Sequence, residues 1–162
     1  MTDFEKRLSE AIQRGERVGS ARAEAEAKKK LNEQELRRLH GKYRLELSDY
    51  IDQCLKKLAE HFPGFELSPV VDDRGWGAAI SRDNLEIDRR RGRVNQFSRI
   101  EMVIRPVSDY FVLELAGKAT IRNKEIFNRS HFQVLDEVEY DSFTEMIDQW
   151  ALEFAERYAA TR

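Results

Sequence analysis

The sequence predicts an α+β protein: a long N-terminal helix, or a helical hairpin if that helix breaks at Gly41, then an antiparallel sheet of about five strands, then a C-terminal amphipathic helix packed on the sheet. Three observations lead there. Ala, Glu, Lys, Arg, Gln and Leu, all strong helix formers, dominate the first 39 residues, and no proline precedes Pro63. After Pro63-Gly64 the apolar period changes from 3.6 to 2, and after Ser142 it returns to 3.6.

The first helix opens on Thr2-x-x-Glu5, a capping-box spacing. Steps of four and three from Phe4 give Leu8, Ala11, Gly15 and Val18, then fail between Arg22 and Asn32, and recover at Leu36, Leu39, Tyr43 and Leu47. The central stretch 21–30 forms helix strongly but has no apolar stripe, which is the pattern of a helix in water on most sides. Gly41 could end the helix, yet Lys42, Tyr43 and Arg44 offer no residue to cap a new one, and the apolar phase passes through Gly41 unbroken. One continuous helix to about residue 62 is therefore favoured. The expected division is a helical arm over residues 1–42 and an α+β domain over 43–162, made of helix 43–62, sheet 65–135 and helix 142–160.

In the sheet, Pro69 marks an edge strand, 72–75 is a turn, and Trp76, Ala78 and Ile80 alternate after it. Residues 82–96 read as a polar connection. The clearest hairpin joins 97–105 to a returning strand that starts at Tyr110, with residue 105 expected opposite 110, and a further strand covers about 125–135. Ser142-x-x-Glu145 is expected to cap the last helix, whose apolar stripe is Phe143, Ile147, Trp150, Ala151, Phe154 and Tyr158.

Composition removes several function classes. Of 162 residues, 28 are Lys or Arg and 30 Asp or Glu, so the net charge is −2. That balance hides a segregation: residues 82–131 carry +4 and residues 132–162 carry −6. No apolar run approaches the ~18 residues of a membrane span, and the charged first residues lack the apolar stretch of a secretory signal. Cys54 is the single cysteine, which suits a reducing compartment, and the expected location is the cytoplasm. His40, His61 and His131 stand far apart, and no glycine loop has a phosphate-binding pattern. The sequence therefore calls for no metal, no cofactor and no catalytic residue, and an enzyme is the less favoured reading.

Three surfaces remain as candidates. Phe4, Leu8, Ile12, Val18, Leu31, Leu36 and Leu39 on the arm would bury apolar surface by meeting a second copy or another protein. Arg89, Arg90, Arg91 and Arg93, extended by Arg99 and Arg105, could hold an anion or nucleic acid. The bland alternative is a solvated loop that meets the acidic Asp136, Glu137, Glu139 and Asp141, and the sequence pI near 6.0 lies far below the ~9 of a committed nucleic-acid domain. The polar face of the sheet, with Glu101, Glu114 and His131, could serve small-molecule binding or acid–base chemistry if a pocket covered it. The functional expectation is a non-enzymatic intracellular interaction or adaptor module that self-associates through its N-terminal helix, with no membrane partner.

Overall fold

The structure, a computed structural model, describes residues 2–161. It opens with α1 (Asp3–His61), capped as the sequence indicates, since Thr2 Oγ1 accepts the Glu5 backbone N–H at 3.2 Å. Gly41 lies inside α1 with open space where a side chain would project, and the helix passes through it, so the hairpin alternative falls.

The chain divides into two compact units, Met1–Arg38 and Leu39–Arg162. In the first, every residue from Thr2 to Asn32 is exposed. Its helix is held by backbone propensity and by spaced ion pairs such as Asp3–Arg7 at 3.9 Å and Glu35–Arg38 at 3.7 Å, each worth only a few tenths of a kcal/mol.

In the second unit, five antiparallel strands form one sheet in the order β1 (Glu66–Asp72), β2 (Gly75–Arg82), β5 (Ser98–Ile104), β6 (Val112–Ile121) and β7 (Lys124–Val134). One face turns inward. Ala78 and Ile80, Ile100, Met102 and Ile104, and Leu113, Leu115, Ala119 and Ile121 recur at period 2 and are all buried. The helices cover that face. From α1 come Leu47, Ile51, Leu55 and Leu58, and from α2 (Tyr140–Ala160) come Phe143, Ile147, Trp150, Phe154 and Tyr158. Gly117 makes room for this packing, because a Cβ there would stand 2.5 Å from Trp150 Cε3.

Four details differ from the sequence reading. The stretch 82–96 is no mere connection: β3 (Leu85–Asp88) and β4 (Gly92–Asn95) pair as a separate two-stranded ribbon, closed by residues 89–91 and by Gly92 at φ 76°. Arg105 lies opposite Glu114 rather than residue 110, its N–H bonding the Glu114 carbonyl at 2.9 Å. That shift of four is even, so the facing of every side chain survives. Ser142 does not cap α2, which starts at Tyr140; its hydroxyl instead donates to the Glu139 carbonyl at 2.8 Å. His131, read as part of the polar face, lies on the helix side of β7 together with Arg129 and Gln133. There Arg129 pairs with Glu153 at 2.5 Å, while His131 and Gln133 meet the Ser142 hydroxyl at 3.2 and 2.9 Å.

Candidate functional site

On the arm, Phe4 is 71 % exposed and Leu8, Ile12 and Val18 are each about half exposed or more. At 3.6 residues per turn these four fall within a third of the helix circumference. Leu31 is exposed as well but stands 27 residues, or seven and a half turns, from Phe4 and so faces the opposite way. Leu36 and Leu39 are half-buried.

The arginines divide into two groups. Arg89, Arg90, Arg91 and Arg93 crown the exposed ribbon, where Arg93 sits across from Ile87, itself 87 % exposed. Among the described residues, Arg89, Arg91 and Arg93 form no ion pair, whereas Arg90 has a partner. The ribbon is tied to the β6–β7 turn by Asn123 Nδ2 donating to the Asn95 carbonyl at 2.7 Å. Asp136, Glu137, Glu139 and Asp141 follow the far end of β7, ten residues or roughly 33 Å along the strand, so they are not the ribbon's partners within the chain.

Arg99 and Arg105 lie elsewhere, near opposite ends of β5 on the outer face of the sheet. Arg99 donates to Glu101 at 3.0 Å, and Arg105 to the Arg74 carbonyl at 3.2 Å. Arg74 bridges Asp72 and Glu101, each at 3.0 Å, and Lys118 approaches Glu125 at 3.9 Å. The Arg74 guanidinium holds the Asp72 carboxyl below its usual range. Arg74, Arg99 and Lys118 thus face Asp72, Glu101 and Glu125, and the network is electrically balanced. It borders a depression of about 210 Å³ that includes neither Glu114 nor His131. The constellation Glu101, Glu114 and His131 is not assembled, because His131 points to the helices. The face is also less wet than its charges suggest: Val70, Ala79 and Val103 form a small buried cluster at its centre.

A further surface escaped the sequence reading. Between α1 and α2 runs a groove of about 680 Å³, with Leu58, Phe62, Ala151 and Ala155 among its lining. Tyr50 ties its walls, donating to Asp148 Oδ1 at 2.7 Å, and that bond pushes the tyrosine up to about 12. Cys54, on the same wall, is half-buried, and burial raises its thiol, so it is a packing group and a poor nucleophile at neutral pH. The alanines at 151, 155 and 159, one per turn, are the signal that marks this groove in the sequence, where Ala151 was assigned only to the core stripe.

Among the described residues no three His, Cys, Asp or Glu side chains converge as a metal site, and no helix is long and apolar enough to cross a membrane. Set against family models, curated proteins and solved structures, the chain matches none of them.

Proposed function

We propose that the protein is a non-enzymatic intracellular interaction module that self-associates through its N-terminal helix. The observation that carries this reading is the stripe of Phe4, Leu8, Ile12 and Val18 on a stretch of helix exposed at every residue. Fully burying four such side chains is worth at most ~6–12 kcal/mol, against an association cost of ~4–15 kcal/mol. One stripe alone is therefore marginal, and two stripes contributed by two copies are sufficient, which favours a homodimer. The single free thiol supports a reducing location.

Light scattering coupled to size-exclusion chromatography tests it. The wild-type chain is expected at twice 19.0 kDa, and Leu8→Glu with Ile12→Glu, which keeps helix propensity, at 19.0 kDa. A wild-type mass of 19.0 kDa at the highest concentration reached would end the proposal.

A second reading is supported by the ribbon, where Arg89, Arg91 and Arg93 are exposed and without carboxylate partners among the described residues: contact with the phosphates of a nucleic acid.

A further inference from the structure

Self-association through the arm requires a surface to receive it, and the groove between α1 and α2 has the shape, charge and length to do so. Its α2 wall carries Ala151, Ala155 and Ala159, so no large side chain of that wall fills the space, and Leu152 beside them is 69 % exposed. Its walls differ in charge: Lys57 stands on α1, Asp148 and Glu156 on α2.

The arm has the matching pattern. With Phe4, Leu8, Ile12 and Val18 facing down, helical spacing puts Arg7 and Arg14 along one border of the stripe and Glu5 and Glu16 along the other. Arg7 and Arg14 are roughly 10 Å apart along the axis, and Asp148 and Glu156 roughly 12 Å. From Phe4 to Ile12 is again roughly 12 Å, within the roughly 17 Å that the groove follows α2 from Asp148 to Ala159, whereas Phe4 to Val18 is roughly 21 Å, so Val18 falls at the end of the groove.

Area selects the occupant. On the usual transfer scale each large side chain buries roughly 60–120 Å² of apolar surface, so one arm and the groove it covers remove roughly 500–1,000 Å². That is short of the ~1,200–2,000 Å² of a stable interface, and two reciprocal contacts reach it.

We propose that the groove receives Phe4, Leu8 and Ile12 from a second copy, with Val18 at its end, each arm docking between the helices of the other chain; this rests on the self-association proposed above. Arg7 and Arg14 then meet Asp148 and Glu156, and Glu5 on the other border faces Lys57.

Cys54 lines the groove and is the only native thiol, so Leu8→Cys in the full chain gives a direct test. Mild oxidation at about pH 8.5, chosen because burial raises the Cys54 thiol, should give a disulfide-linked dimer whose peptide map joins position 8 of one chain to Cys54 of the other. The link should vanish in Leu8→Cys with Cys54→Ser. In the unmodified background, Ala155→Arg, which fills the groove, should lower the mass to 19.0 kDa. A link between the two position-8 thiols would show arm pairing with arm, overturning the docking while self-association stands. Absence of any link in a chain whose mass is doubled, or a doubled mass in Ala155→Arg, has the same meaning. A position-8 link to Cys54 within one chain, or a mass of 19.0 kDa for wild type, overturns both.

Discussion

His40 shows how little of a single side chain's role the sequence records. Its isolation from other histidines removes a metal frame, but nothing in the sequence reveals that it is 2 % exposed with Nε2 donating to the Arg105 carbonyl at 3.1 Å. Burial lowers its pKa below the ordinary 6.5, the Arg105 bond opposes that, and the Arg44 charge adds to the lowering. The imidazole is therefore neutral in the fold at pH 7. As pH falls through about 6.5 the unfolded chain takes up a proton that the folded chain refuses, so stability drops, with a slope of up to about 1.4 kcal/mol per pH unit, until the folded pKa is reached. Urea unfolding at about pH 7 and about pH 5.5 should show this loss, and His40→Gln should flatten it. Asp72 and Glu153, whose pKa values are lowered by Arg74 and Arg129, lose their contribution only at lower pH, below their ordinary 3.8 and 4.5. Arg129, His131 and Gln133 are a related lesson: on an edge strand, polar side chains can face the covering helix when α2 supplies Glu153 and Ser142 to satisfy them.

Elements with long, consistent periods were legible and short ones were not. The continuity of α1 through Gly41 followed from the unbroken apolar phase and the missing cap. It has a measurable consequence: Gly41 is helical, without positive φ and with nothing within 4 Å of an added Cβ. Gly41→Ala should therefore raise stability by about 1 kcal/mol, read as a higher midpoint in urea, because alanine loses less backbone entropy in a helix. Had the chain turned back at Gly41, the same substitution would destabilise it. The ribbon of β3 and β4 was missed because four-residue strands crowded with arginine show too little alternation, and only backbone pairing and the turn at Gly92 define them. The hairpin between β5 and β6 was placed four residues off because the chain stays irregular from Arg105 to Phe111, the latter at φ 50°, before pairing resumes.

At the scale of the molecule, the near-neutral total conceals a segregation of charge by position in the sheet. The ribbon's Arg89, Arg91 and Arg93 project at the end of the sheet marked by the β6–β7 turn, and the acidic run from Asp136 lies beyond the other end of β7. If the ribbon contacts phosphates, binding of a mixed oligonucleotide should weaken steeply with salt, and replacing those three arginines by glutamine should reduce the salt slope by about 3. No binding at low salt would dismiss that reading. Arg99 and Arg105, grouped with the ribbon by sequence, belong to the sheet face, where Glu101 and the Arg74 carbonyl hold them.

Fold class, the order of helix, sheet and helix, and the inward set of each long strand were written in the periodicity of the chain, because burial of apolar surface has to repeat with the geometry of each element. Which charged groups neutralise one another, which polar residues turn inward, and where α1 and α2 leave a groove depend on residues distant in sequence meeting in space, as Tyr50 meets Asp148, and no local pattern records those meetings.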